Sequence, residues 1–211
     1  MFRKIKFIAL GTSLFALIGL SSCGEQKAAE SEDTVTETTT VETTTDTTDE
    51  EAKAARVSPP ATATGSVGET TVTINYSQPA VKERTVWGGL VPYDEVWRTG
   101  ANEATVFEVS TDISIEGETL PAGKYSLFTI PSAEGPWTVV FNQTFEQWGA
   151  YDYNADDDVL RIEASPEMVE DHMEKMTFMI EGNNVVLRWE KLKLAFSIDP
   201  ATAESAGSTE G

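Results

Sequence analysis

One cysteine and one histidine in 211 residues remove several kinds of chemistry at the outset. A lone Cys23 permits no intrachain disulfide and no thiolate cluster, and His172 by itself cannot build a histidine zinc triad. No metal and no cofactor is expected. Basic residues are scarce as well: 15 Lys and Arg stand against 35 Asp and Glu, a net charge of −20. Nucleic acid is therefore not an expected partner, because binding to a phosphate backbone draws its free energy from cations that displace counterions. No G-x-S-x-G elbow, P-loop or H-E-x-x-H occurs, and no repeat with a period of about 20 to 50 residues. The sequence displays no catalytic constellation.

Long apolar runs are absent too, with one exception. Arg3, Lys4 and Lys6 precede 14 apolar or small residues from Phe7 to Leu20. At about 1.5 Å per residue such a helix falls short of a ~30 Å hydrocarbon core, so the run fits a signal peptide better than a spanning helix. Leu20-Ser21-Ser22-Cys23-Gly24 follows and resembles a bacterial lipobox. The resemblance implies cleavage before Cys23 and acylation of that residue, with two or three chains on one site, enough for stable anchoring. The expected location is a bacterial cell envelope, lipid-anchored, periplasmic or at the cell surface, with the outer membrane favoured.

From Gly24 to Val57 there are ten Thr, ten Asp or Glu and three Lys or Arg, with no aromatic residue, Leu or Ile. That composition buries too little apolar surface to offset the entropy of ordering, and an acidic, disordered spacer is expected. The expected organisation is thus a signal peptide over 1–22, a lipidated Cys and disordered linker over 23–57, a domain over 58–199 and a disordered tail over 200–211. Sixteen aromatic residues lie between Ser58 and Asp199.

Within the domain the dominant period is two. Thr71–Tyr76, Thr105–Val109 and Asp112–Glu116 alternate cleanly, a half-buried antiparallel pattern. Further strands are expected at Lys124–Ile130, Trp137–Asn142, Asp158–Glu163, Met176–Glu181, Val185–Trp189 and Leu192–Ile198. Gly117-Glu118, Pro121-Ala122-Gly123, Pro131–Pro136 and Gly182-Asn183-Asn184 supply turn chemistry between them. One helix is predicted over Pro166–Lys175, capped by Ser165 and with Glu167 and Glu170 near its positive end. The fold expected is all-β, an antiparallel two-sheet sandwich with one short helix, a closed barrel being the alternative.

Thr85–Thr105 breaks the alternation, and reads T-V-W-G-G-L-V-P-Y-D-E-V-W-R-T-G-A-N-E-A-T. Together with P-A-G-K-Y-S-L-F-T-I-P from Pro121, W-T-V-V-F-N from Trp137, W-G-A-Y-D-Y-N from Trp148 and D-V-L-R from Asp158, it resembles the family called domain of unknown function 2911. The resemblance covers Ser58 to about Ile198 and implies an exported or lipid-anchored bacterial domain, but no reaction.

Candidate ligand-binding residues are Arg98, Asn102, Glu103, Trp97, Trp148, Tyr151 and Tyr153. Apolar or small neighbours bracket Arg98 and Glu103 and would desolvate both. An Arg fork suits a carboxylate or sugar hydroxyls, and a desolvated Glu suits acid or base work. The competing account pairs Arg98 and Glu103 with each other or with backbone carbonyls, and makes Asn102 a turn residue. Trp148, Tyr151 and Tyr153 sit in a Gly- and Asp-rich loop suited to stacking a flat ligand, whereas Trp137 and Trp189 are expected in the core. Asp152, Asn154, Asp156 and Asp158 approach a calcium-loop spacing. Asp157 stands where the sharp turn needs Gly, however, and no EF-type site is expected. His172 is expected to face solvent.

Two functional readings follow. The first is a non-enzymatic binding or structural domain, anchored to the membrane through Cys23 and taking a small-molecule, glycan or protein ligand. The second is a hydrolase of a glycan or related polymer that works through Glu103 and one of Asp94, Glu95 or Asp152.

Overall fold

The computed structural model describes residues 55–201; Cys23, the leader, most of the acidic stretch and the tail from 202 lie outside them. Ten strands form two antiparallel sheets. They are β1 (Pro60–Val67), β2 (Thr70–Ser77), β3 (Thr105–Val109), β4 (Ile113–Ile115), β5 (Glu118–Leu120), β6 (Gly123–Ile130), β7 (Trp137–Asn142), β8 (Asp158–Ala164), β9 (Glu167–Glu181) and β10 (Asn184–Pro200). The larger sheet runs β1-β2-β3-β6-β7-β8 and the smaller β5-β4-β10-β9. The two stack as a sandwich and do not close into a barrel.

Side-chain alternation explains the layering. On β2, Val72, Ile74 and Tyr76 turn inward while Thr71 and Asn75 stay exposed, as a half-buried strand requires. Phe107 of β3 meets Phe141 of β7 at 5.1 Å between ring centroids, and Phe141 reaches across the sandwich to Phe196 of β10 at 5.9 Å. These edge contacts join the two inner faces, and each buried aromatic contributes roughly 1.5–3 kcal/mol. Trp137 and Trp189 are both 1% exposed, in the core as their strand positions indicate. Between β4 and β5 the chain reverses through Glu116 and Gly117, with φ of 49° and 90°. Two successive positive φ values define the hairpin turn whose twist matches its strands.

The predicted helix over Pro166–Lys175 does not form. Those residues enter β9, with Glu167 opposite Lys193 and Met168 opposite Leu192. Helix caps contribute about 1 kcal/mol each, and they are outweighed by the ladder that β9 forms with β10 and by the burial of Met176 and Phe178. The polar run that suggested a solvated helix face is instead a sheet edge, where charged side chains discourage pairing with another chain. Among the described residues the helical turn that does occur is a short 3₁₀ turn at Ala155–Asp157, capped by Asn154. Val185–Trp189 and Leu192–Ile198, read as two strands, are one strand, irregular around Glu190, which has φ of 55°. β1, whose inward positions are mostly small residues, and the three-residue β5 were not expected.

Candidate functional site

Between β2 and β3 lies a 27-residue connection, Gln78–Ala104, without a strand of its own. Long loops persist in ordered form only when stapled down, and the staples here are backbone pairs. Trp97 exchanges hydrogen bonds with Thr129 at 2.8 and 2.9 Å, Ala104 N–H donates to Gln147 at 3.0 Å, and Gly149 N–H donates to Asn102 at 2.9 Å. Beneath the loop, Trp87 makes edge contacts with Trp97, Trp137 and Trp189 at 5.8, 4.9 and 5.6 Å. Four places in the connection use left-handed backbone at non-glycine residues: Lys82–Glu83, Asp94, Thr99 and Asn102. At Thr99 this is costly because its side chain is β-branched. It is held there by burial and by its Oγ1 hydroxyl, which donates to the Trp97 carbonyl and shares a hydroxyl–hydroxyl hydrogen bond with Thr129 Oγ1.

The staples place the candidate residues at two separate sites. The first is a cleft of about 430 Å³ lined by Pro60, Tyr76, Ala104, Val106 and Phe145 on its apolar side, and by Arg56, Asn75, Glu103, Glu146 and Gln147 on its polar side. Trp148 completes it and is 53% exposed. Arg56 donates to both carboxylate oxygens of Glu103, at 2.6 and 2.9 Å, and its guanidinium lies 5.7 Å from the centre of the Trp148 ring. Glu103 thus pairs with a residue 47 positions earlier and not with Arg98. Asp94, Glu95 and Asp152 do not line this cleft; the second carboxylate beside Glu103 is Glu146.

The second site is a cavity of about 310 Å³ that holds Arg98, Asn102 and Trp97. Trp97 is only 8% exposed. It stacks on Trp189 at 5.9 Å, and its indole N–H donates to the Gly100 carbonyl at 3.2 Å. Asn102 serves the loop, with its Nδ2 donating to the Ser58 carbonyl at 3.0 Å and its φ of 60° in the region Asn tolerates. Burial pushes the Arg98 guanidinium below its ordinary pKa, with Tyr151 acting weakly the other way; a guanidinium nonetheless remains charged.

The remaining two aromatics divide. Tyr151 is 83% exposed. Tyr153 belongs to a closed network: its hydroxyl donates to Asp158 Oδ2 at 2.7 Å and accepts from Arg161 Nη2 at 2.7 Å, while Asn142 Nδ2 donates to Asp158 Oδ1 at 2.8 Å. Burial first, then the Asp158 hydrogen bond and charge, push the Tyr153 pKa up to about 12. Asp158 is therefore spoken for by protein donors, and no group of three or more His, Cys, Asp or Glu among the described residues is placed to hold a metal. His172 is exposed on β9, 3.3 Å from Glu174.

Arg56, Phe145, Gln147, Lys82 and Arg84 line these sites without having been singled out in the sequence. Arg56 falls in the acidic stretch by composition, and its only local mark is to be the last cation before Pro59-Pro60. A family model described as "Protein of unknown function (DUF2911)" matches residues 58–198. No curated protein and no solved structure matches the chain.

Proposed function

The chain belongs to that DUF2911 family, and we propose that it serves as a lipid-anchored, non-enzymatic binding domain of a bacterial envelope, taking a small amphipathic ligand in the Glu103–Trp148 cleft. The ligand class argued for is a sugar ring or a molecule of similar two-faced character. A half-exposed Trp148 beside an apolar floor accepts the C–H face of such a ring. Glu103, Gln147, Asn75 and Arg56 also line the cleft and supply acceptors and donors, the few convergent polar groups that fix orientation in a ligand site. A volume of about 430 Å³ sits near the small end of the roughly 300–1,000 Å³ range of such pockets, which suits one or two rings better than a long polymer.

The observation that carries this reading is Trp148: a large indole left half in solvent, at the mouth of a cleft, on a loop whose backbone is fixed at Gln147 and Gly149. An indole kept only for the core would be covered, as Trp137 and Trp189 are. The test is a thermal-shift screen of the full chain against mono- and disaccharides and other small polar metabolites. A ligand at a hundred times its dissociation constant stabilises by about 2.7 kcal/mol. Trp148→Ala should abolish the shift while leaving the unliganded midpoint within about 2 °C, because an exposed side chain carries little of the fold. A ligand whose shift survives Trp148→Ala would place the site elsewhere.

The hydrolase reading retains one observation in its favour, since Glu103 and Glu146 line the same cleft. Both Glu103 oxygens, however, are engaged by Arg56. Turnover of a glycan that disappears in both Glu103→Gln and Glu146→Gln would establish that reading over binding alone.

A further inference from the structure

In a chain of net charge −20, the cavity beneath the Trp97–Asn102 turn is lined by three cations, Lys82, Arg84 and Arg98, and among the described residues by no carboxylate. None of the three forms a salt bridge with a described residue. Arg84 is fixed by its own loop, with Nε donating to the Val81 carbonyl at 3.1 Å and Nη2 to the Ala80 carbonyl at 2.6 Å. Those bonds orient the guanidinium without an ion-pair contact to a described carboxylate. Glu174, whose carboxylate acts on Arg84 through charge and accepts from the Lys82 backbone N–H at 2.9 Å with His172 at 3.3 Å, does not line the cavity.

Two buried donors in the walls of this cavity also lack acceptors. Arg98 Nε and Trp189 Nε1 have no hydrogen-bond partner, although Trp189 is 1% exposed. Buried donors are satisfied in the great majority of cases, and an exception calls for a missing partner. Both orphans are N–H groups, both belong to lining residues, and the charge around them is positive. The missing partner is therefore an acceptor that carries negative charge.

We infer that this cavity is a binding site for a small oxyanion, a carboxylate or phosphate group on a compact apolar body, with Arg98 as its principal ligand and Lys82 and Arg84 supplying the surrounding positive field. Arg98 suits the task because its planar fork meets two oxygens at once. The stacked Trp97 and Trp189 form the wall against which the apolar body rests. Backbone geometry holds Arg98 in place: Trp97 is paired on both sides to Thr129, and Thr99 is locked at φ of 48°. Strain of this kind persists where the surroundings over-determine it, and it clusters at ligand clamps. A partly desolvated cation without a counter-charge is unfavourable, and an incoming anion relieves that penalty. The cavity of about 310 Å³ limits the ligand to the size of an aromatic acid or a small phosphomonoester. The site is distinct from the Glu103–Trp148 cleft and stands or falls apart from it.

The test is titration of the full chain with inorganic phosphate, phenyl phosphate and benzoate at constant ionic strength, followed by calorimetry and by indole fluorescence, since two of the wall residues are Trp. Saturable binding at one site per chain is expected. The stronger of phenyl phosphate and benzoate identifies the head group as phosphate or carboxylate. Arg98→Gln should weaken binding by about tenfold or more, as removal of a charged hydrogen-bond partner does. Lys82→Ala should weaken it by about threefold through loss of field alone. Lys124→Ala, at a surface lysine paired with Glu108, should bind as the unaltered chain does. Absence of saturable binding with all three probes would overturn the proposal, as would unchanged affinity in Arg98→Gln. Should Arg98→Gln fail to fold, unchanged affinity in Lys82→Ala, whose exposed side chain the fold does not need, would overturn it equally.

Discussion

Tyr153 shows how a single hydroxyl couples stability to pH. Its O–H donates to Asp158 and accepts from Arg161, so ionising it would set a phenolate against a carboxylate. The folded pKa of about 12 stands above the usual tyrosine value of about 10. A raised acid pKa means that the folded state holds its proton longer than the unfolded chain does. The stabilisation is therefore fully present below about pH 10 and is lost as pH rises through about 12. Tyr153→Phe keeps the ring contact with Phe128 and removes the hydroxyl. Urea unfolding at pH 7 should show it less stable by about 1 kcal/mol, with a shallower decline in stability between pH 10 and 12. Tyr125, also raised by burial, remains in both proteins and sets a common background slope, so equal slopes would show that Tyr153 is not coupled. In sequence, this tyrosine was indistinguishable from its neighbours in W-G-A-Y-D-Y-N. Residue type marked it as a stacking candidate, while its role is fixed by Asp158 and Arg161, which arrive from β8. The same limit applied to Glu103. Its desolvated surroundings were legible, but its partner, Arg56, lies far away in sequence and is brought near only by the bonds that tie Asn102 to Ser58 and Ala104 to Gln147.

The relation between β1 and β9 rests on what β1 omits. Its inward positions are Ala61, Ala63, Gly65 and Val67, all small or medium, and a methyl group placed on Gly65 would lie 2.6 Å from Cβ of Ile180 in β9. That is inside any tolerable carbon–carbon contact. The obstructing atom belongs to the base of the Ile180 side chain, so a rotamer change cannot relieve it and the backbones must part. Gly65→Ala should destabilise the domain by about 1–3 kcal/mol in urea denaturation, the usual range for overpacking. Adding Ile180→Ala should restore only the share due to Cγ2, 2.7 Å from the added methyl, because Cβ at 2.6 Å stays. Adding Ile180→Gly should recover part of it as a favourable coupling in the double-mutant cycle, and equal behaviour of the two double variants would refute the contact. This explains why β1 escaped sequence reading: its Pro-Ala-Thr-Ala-Thr-Gly composition answers to a close neighbour, not to strand propensity. For β9 the error ran the other way, since caps and acidic residues near Ser165 are genuine helix signals that a long-range ladder with β10 overrides. Strands with clean alternation, such as β2, β3 and β4, were legible because period two is a local property.

At the scale of the molecule, the features that would assign a place to this domain lie outside it. Residues 55–201 contain no cysteine, and no helix among the described residues is long and apolar enough to cross a membrane. If the chain is anchored, Cys23 is the only residue able to take a thioether-linked lipid. Cys23→Ser, expressed with its leader in a bacterium that processes lipoproteins, should lose incorporation of labelled fatty acid, and the chain should no longer fractionate as a processed, membrane-bound lipoprotein. Its unfolding midpoint and its response to ligands should match the unaltered domain, because the strands and the linings of both pockets are built from residues 55–201. Continued fatty-acid labelling in the serine variant would refute acylation at this position, whatever the domain binds. The two results bear on each other through geometry. The chain leading from Cys23 reaches the domain at Arg56 and Ser58, and these residues contribute to the walls of the Glu103–Trp148 cleft and the Arg98 cavity respectively. The segment that enters the domain at Arg56 and Ser58 therefore borders both proposed sites. A ligand drawn to the Arg98 cavity would meet the −20 charge of the chain as repulsion at long range and the Arg98 cluster as attraction at short range. Moderate salt should screen the first before it weakens the second, so the association rate of phenyl phosphate should rise with ionic strength over roughly 10–100 mM before it falls.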